Sequence, residues 1–162
     1  TFEEQRGSIK NRKVAWTGDG NNVVTSWVHT AARFGFEMRI ATPSELKPSD
    51  QLIGWADDQG AKVIMTEDPA EAVSGADLVV TDTWVSMGDE DAGTRHNMLS
   101  PYRVDDALMA KAADDALFMH CLPVRRNVVV DGDVLDSDFN AAIDEAENRM
   151  HVQKAALVKL IG

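Results

Sequence analysis

Four short segments of this chain carry residue types that chemistry needs, and each stands at the end of an apolar run or in the helix that follows it. The first is Gly18-Asp19-Gly20-Asn21-Asn22. Small residues there let a ligand approach closely, and the free amides of a following helix favour a carboxylate. A dinucleotide site is the rival reading. Against it, Val23 stands where a third glycine is required, and the second apolar run ends at Ala41-Thr42 without an acid. A plain tight turn with an asparagine cap also fits. The second segment is Asp82-Thr83-Trp84-Val85-Ser86-Met87-Gly88. A carboxylate at a strand end holds an ammonium group, and the Ser86 hydroxyl can share it if the loop folds back. An ordinary loop accounts for the same residues, although Trp84 and Met87 are costly to expose, so at least one should pack.

The third segment, His120-Cys121-Leu122-Pro123, sets the only cysteine beside a histidine. That pairing suggests a Cys/His nucleophile, but neighbours in an extended chain point to opposite faces, which argues against a dyad. A buried thiol beside a hydrogen-bonded histidine is the plainer account. A zinc site has less support, because His29, His96, His120 and His151 show no ligand spacing. The fourth is Arg149, four residues after Glu145. Either the two form an intrahelical ion pair worth a few tenths of a kcal/mol, or the guanidinium reaches back toward the strand ends.

Something must bring these segments together. Apolar runs at 14–16, 38–41, 62–65, 77–81 and 116–119 read as strands, with a short sixth at 141–143. Helical patterns at 22–36, 48–60, 104–112 and 145–160 alternate with them, plus a short helix opened by Asp68-Pro69. A loop is expected from 82 to about 101, mobile over Asp82 to Met87. Asp144 and Glu147 have capping-box spacing before the last helix. Alternation of this kind predicts one α/β domain over residues 1–162, doubly wound and Rossmann-like, with about five mostly parallel strands and helices on both faces. If the strand order is 3-2-1-4-5, ligands bind where the order reverses, at the carboxyl ends of strands one and four. Asn22, Asp82, Ser86 and Cys121 then converge at one edge.

Bulk properties narrow the partners. The chain has 162 residues, 44% hydrophobic and 27% charged, which is ordinary for one globular domain. A net charge of −11 should repel nucleic acid and anionic membrane. A lone Cys121 excludes an internal disulfide and fits a reducing cytoplasm. No apolar run is long enough to span a membrane. The opening at Thr1 lacks an initiator methionine and suggests a chain that starts within a longer protein.

Asp19-Gly20-Asn21-Asn22, the 82–88 loop, His120-Cys121-Leu122-Pro123 and Glu145-Ala146-Glu147-Asn148-Arg149 occur in the order of family motifs. On these residues the chain resembles the ornithine-binding domain of ornithine carbamoyltransferases over nearly its whole length. The resemblance implies carbamoyl transfer from carbamoyl phosphate to the side-chain amine of L-ornithine, giving citrulline and phosphate without a metal or organic cofactor. It implies that Asn22 and the Met87 backbone hold the ornithine carboxylate, and that Asp82 and Ser86 hold its α-amino group. Cys121 lies beside the attacking amine, the Leu122 carbonyl accepts from the carbamoyl nitrogen, and Arg149 polarises the carbamoyl oxygen. It also implies a homotrimer, with a carbamoyl-phosphate domain outside these residues.

Two features depart from the family pattern. The Ser-x-Arg-Thr-type motif that grips carbamoyl phosphate is absent. After Pro123 the chain reads Val124-Arg125-Arg126-Asn127 instead of an Ala-His-Arg-Gly-type run, as in relatives acting on N-acetyl- or N-succinylornithine. The intact Ser86-Met87-Gly88 loop points back to free ornithine. A non-catalytic module binding basic amino acids is the expectation of another class.

Overall fold

The computed structural model describes residues 1–85 and 92–162, the last segment without the Ala92 side chain. In chain order the elements are α1 (Phe2–Arg6), β1 (Lys13–Thr17), α2 (Asn22–Phe34), β2 (Glu37–Ala41), α3 (Asp50–Asp58), β3 (Val63–Thr66), α4 (Pro69–Val73), β4 (Leu78–Val80), α5 (Ala92–Leu99), α6 (Asp106–Met109), β5 (Leu117–Met119), α7 (Gly132–Leu135) and α8 (Ala142–Ile161). Single 3-10 turns occupy Ser44–Leu46 and Ser100–Tyr102.

The five strands form one parallel sheet in the order β3-β2-β1-β4-β5. β4 (Leu78–Val80) and the Val14-Ala15-Trp16 stretch of β1 are apolar throughout because each of their faces is covered. Trp16, Leu78, Val80, Leu117 and Met119 join Val24, Val28 and Leu52 in one core, under α2 and α3. Ala15, Val79 and Phe118, the residues between them, join Val73, Leu99, Tyr102, Val104 and Val134 in the other. The alternation of side chains along a strand thus assigns each residue to one of two layers of helices.

Local chemistry sets the helix ends. Asn21 Oδ1 accepts from the Val23 and Val24 amides and so starts α2. Gly35, in the left-handed conformation, ends it. Gly20 has to be glycine, because a Cβ there would lie 2.0 Å from the Leu46 carbonyl oxygen. That close approach seats the turn after β1 against the segment following β2.

Four expectations are corrected. Residues 141–143 are not a strand: Asn140 makes an isolated parallel bridge to Phe118, and α8 begins at Ala142. Asn140 Oδ1 accepts from the Ala142 amide, so the helix starts early. Asp144 is therefore already inside the first turn, where it accepts from Gln5 Nε2 at 2.6 Å, and the Asp144/Glu147 capping box does not form. The helix expected at 104–112 shortens to Asp106–Met109, its start set by the Asp105 carboxylate, which accepts from the Leu108 amide. The region read as loop contains α5. Its sequence, with a glycine and no apolar stripe, hides a helix that tertiary contacts secure: Arg95 Nη1 meets Asp19 Oδ2 at 2.6 Å, and Trp84 packs edge-on against His96.

Among the described residues no helix is long and apolar enough to cross a membrane. The second half of α8 lies open, with Met150, Leu157, Val158 and Ile161 all more than half exposed.

Candidate functional site

The strand order reverses between β1 and β4, and buried hydroxyls tie the strand ends there. Thr81 Oγ1 donates to the Thr17 carbonyl at 2.6 Å, and Thr17 Oγ1 donates to the Tyr102 carbonyl at 2.8 Å. Immediately beyond, Asp82 bridges the two neighbouring strand ends. Its Oδ2 accepts from Asn21 Nδ2 at 2.9 Å, and its Oδ1 accepts from Cys121 Sγ at 3.3 Å. Asn21 thus does two jobs, capping α2 with its oxygen and holding Asp82 with its nitrogen.

Electrostatics decide the state of the sulfur. Burial, the nearby Asp82 charge and the hydrogen bond to Asp82 push the Cys121 thiol up to about 12. At neutral pH it is an S–H donor, which removes the thiolate nucleophile from consideration. His120 is fully buried, and burial holds its imidazole below the ordinary range, with the Asp82 charge opposing. Its Nδ1 accepts from the Leu122 amide at 3.0 Å, so the neutral ring carries its proton on Nε2. That Nε2 has no hydrogen-bond partner among the described residues, nor has Trp84 Nε1. Trp84 itself is packed into the core, so the expectation that at least one of Trp84 and Met87 packs is met by Trp84.

Leu122 adopts φ 48°, and its bond to Pro123 is cis. A left-handed leucine costs roughly 1–2 kcal/mol, which the surroundings must offset. Asp82, His120 and Cys121 also present potential metal-ligand atoms within 4.8 Å of one another, a grouping invisible in their spacing along the chain. A soft cation bound there would have to displace the proton that Cys121 shares with Asp82.

Glu145 lies in the first turn of α8, and its Oε2 is buried without a hydrogen-bond partner among the described residues. Burial first, then the Asp82 charge, raise its carboxyl to about 7, against lowering by the His120 amide, the amino terminus and Arg149. Arg149 is exposed one turn on, and no ion pair joins it to Glu145. A glutamate ordinarily ionises near ~4.3. Between that value and about 7 the folded chain holds more protons than the unfolded chain. Stability is therefore greatest at low pH and falls as pH rises through this window. Glu145→Gln should remove the fall, leaving the variant about 2 kcal/mol more stable than the parent at pH 8 and nearly equal at pH 4.5. Urea denaturation of both chains at the two pH values measures this, and parallel pH dependences would sink it.

Of the residues expected at the site, the structure joins Asp82 to Cys121 directly and sets Leu122 next in the chain. Asn22 is the exposed first residue of α2, one position from the asparagine that touches Asp82. Ser86 and Met87 lie outside the described residues, so of the 82–87 stretch expected to be mobile only 82–85 is described. Asn21 was legible only as a cap, since nothing local reveals its second contact. Glu145 was legible as a helix neighbour of Arg149 and as part of a family motif, but nothing local reveals its burial.

Comparison with known proteins adds an independent line. Residues 10–160 match the family model described as aspartate/ornithine carbamoyltransferase, Asp/Orn binding domain. The chain is 54% identical to an ornithine carbamoyltransferase of Rhodopseudomonas palustris strain BisA53, covering 100% of this chain and 52% of that protein. It superposes on the Pyrococcus furiosus ornithine carbamoyltransferase with TM-score 0.89 at 40% identity, covering 96% of this chain and 51% of the other. An N-acetyl-L-ornithine transcarbamylase structure is also similar, with TM-score 0.81 and 29% identity over 96% of this chain and 51% of its own. The chain spans about half the length of the relatives it matches.

Proposed function

This chain belongs to the aspartate/ornithine carbamoyltransferase family, and we infer that it supplies the amino-acid-binding half of an ornithine carbamoyltransferase. The reaction moves the carbamoyl group of carbamoyl phosphate to the side-chain amine of L-ornithine. A C–N bond forms at the carbamoyl carbon, the C–O bond to phosphate breaks, and the attacking nitrogen gives up a proton; the products are L-citrulline and phosphate. The role is in ornithine and arginine metabolism, in the cytoplasm.

The observation that carries this reading is Asp82, held by Asn21 and Cys121 at the switch point of the sheet. A carboxylate fixed from both sides suits an ammonium ligand, because binding requires no reorganisation of the carboxylate. In this assignment Asp82 and Ser86 receive the α-amino group, while Asn22 and the Met87 backbone receive the carboxylate. Cys121 stays protonated beside the attacking amine and orients it by hydrogen bonding. The Leu122 carbonyl accepts from the carbamoyl nitrogen. Arg149, exposed and without an ion-pair partner among the described residues, polarises the carbamoyl oxygen as negative charge develops there. Bringing the two substrates together supplies much of the remaining acceleration.

Carbamoyl phosphate needs its own cationic cradle, and the motif for one is absent from these residues. We place it in a separate domain of the complete protein, which assembles as a homotrimer. The open apolar face of α8 supports a further part of the protein covering it.

An acylated ornithine is the second reading, motivated by Arg125 and Arg126. Arg126 already forms a bidentate pair with Asp136, and a Cβ on Gly132 would collide with its guanidinium. That leaves exposed Arg125 alone to meet an acyl carboxylate, so free ornithine is favoured. An acyl group would also neutralise the amine facing Asp82, losing a charge-assisted contact worth about 1.5–3 kcal/mol, or one to two orders of magnitude in kcat/KM. The test assays the complete enzyme with ornithine, N-acetylornithine and N-succinylornithine side by side, and the 162-residue chain alone with ornithine. Ornithine should win by that margin, and the chain alone should form no citrulline. Preference for an acylated acceptor overturns the acceptor assignment. No turnover with any of them supports a binding module instead.

A further inference from the structure

We propose that His120 is a positioning residue that fixes the main chain at Leu122, so that the Leu122 carbonyl faces the carbamoyl group. The proposal rests on the function assigned above and adds a residue to it. Three non-glycine residues have positive φ among those described: Asn11, Leu122 and Asn127. Two are asparagines, whose short polar side chains tolerate this conformation by bonding locally. Leu122 has no such means. Its own side chain cannot bond the backbone, so the conformation has to be imposed from outside.

His120 is the neighbour that can impose it. Its Nδ1 accepts from the Leu122 amide two residues on, the same loop that an asparagine side chain closes in an Asx turn. The ring is fully buried just beyond the end of β5. Burial also keeps it neutral, which is necessary, since a protonated Nδ1 could not accept. The ring's Nε2 remains without a partner among the described residues. Leu122 and Cys121, adjacent in the chain, then face the two reacting groups together: Cys121 toward the attacking amine, Leu122 toward the carbamoyl nitrogen.

The test compares His120→Leu with His120→Asn in the complete enzyme. Leucine fills space and removes the acceptor, whereas the asparagine oxygen can restore the loop to Leu122. His120→Leu should lower kcat about ten- to a hundredfold and weaken carbamoyl phosphate, while KM for ornithine stays within about threefold. His120→Asn should recover most of that loss, to within about threefold of the parent. A merely structural histidine would show equal losses in both variants, or losses in ornithine KM, and either result overturns the proposal. Should neither variant fold, amide exchange of the parent decides. Leu122 should be protected, and free exchange at that amide overturns the proposal. An unmodified complete enzyme that forms no citrulline would instead refute the assigned function, leaving the amide measurement to judge His120.

Discussion

Replacing Asp82 by asparagine should lower kcat/KM for ornithine by about two orders of magnitude in the complete enzyme. Two losses combine. The negative charge that would receive the substrate ammonium disappears, and a charge-assisted hydrogen bond is worth about 1.5–3 kcal/mol. The new side chain must also place an NH2 where Asp82 now accepts from Asn21 or from Cys121. Donor would then face donor at one of the two contacts. Asp82→Glu keeps the charge and shifts it by a methylene, so it separates charge from position. A larger residual activity for glutamate than for asparagine would show that charge dominates. Steady-state kinetics with ornithine varied at saturating carbamoyl phosphate gives both numbers. A loss of less than about threefold in Asp82→Asn, which is within a neutral hydrogen bond's worth, would remove Asp82 from the substrate site.

Cys121 should react with iodoacetamide at pH 8 about three orders of magnitude more slowly in the folded chain than in the chain unfolded in urea. Only the thiolate attacks, and an ordinary thiol ionising near ~8.5 is about a quarter thiolate at that pH. With its ionisation pushed up to about 12, the folded Cys121 is thiolate only about one time in ten thousand. Partial burial slows it further. Asp82→Asn should raise the folded-state rate, since both the charge and the hydrogen bond of Asp82 contribute to the upward shift after burial. Mass spectrometry of timed, quenched samples follows the label. Labelling of the folded chain at the unfolded rate would mean that the sulfur is neither buried nor bonded to Asp82, and the thiol's role as a donor at the site would fail with it.

Much of the scaffold was legible beforehand because it depends on local rules. Unbroken apolar runs such as Leu78-Val79-Val80 have to be covered on both faces, and parallel strands joined by helices wind with one hand. Those two rules give a parallel, doubly wound sheet, and the observed order 3-2-1-4-5 is the one that sets Asp82 and Cys121 at neighbouring strand ends. Less local elements misled. The helix Ala92–Leu99 carries no apolar stripe and is secured by Arg95 reaching Asp19, 76 residues away. The start of α8 is set by the side chain of Asn140, which reads as an ordinary loop residue.

What the amino-acid sequence determined by itself is therefore the fold, the edge of the sheet where chemistry lies, and the family pattern that names Asp82, Cys121, Leu122 and Arg149. Tertiary structure alone decided that Asn21 touches Asp82, that Cys121 keeps its proton, that Glu145 is raised to about 7, and that His120 holds Leu122. The division has a physical cause. Hydrophobic periodicity and helix caps act over a few residues and leave their mark in local order. Desolvation and charge–charge interaction depend on distances of a few ångströms between groups far apart in the chain, which exist only once the strand ends have been brought together.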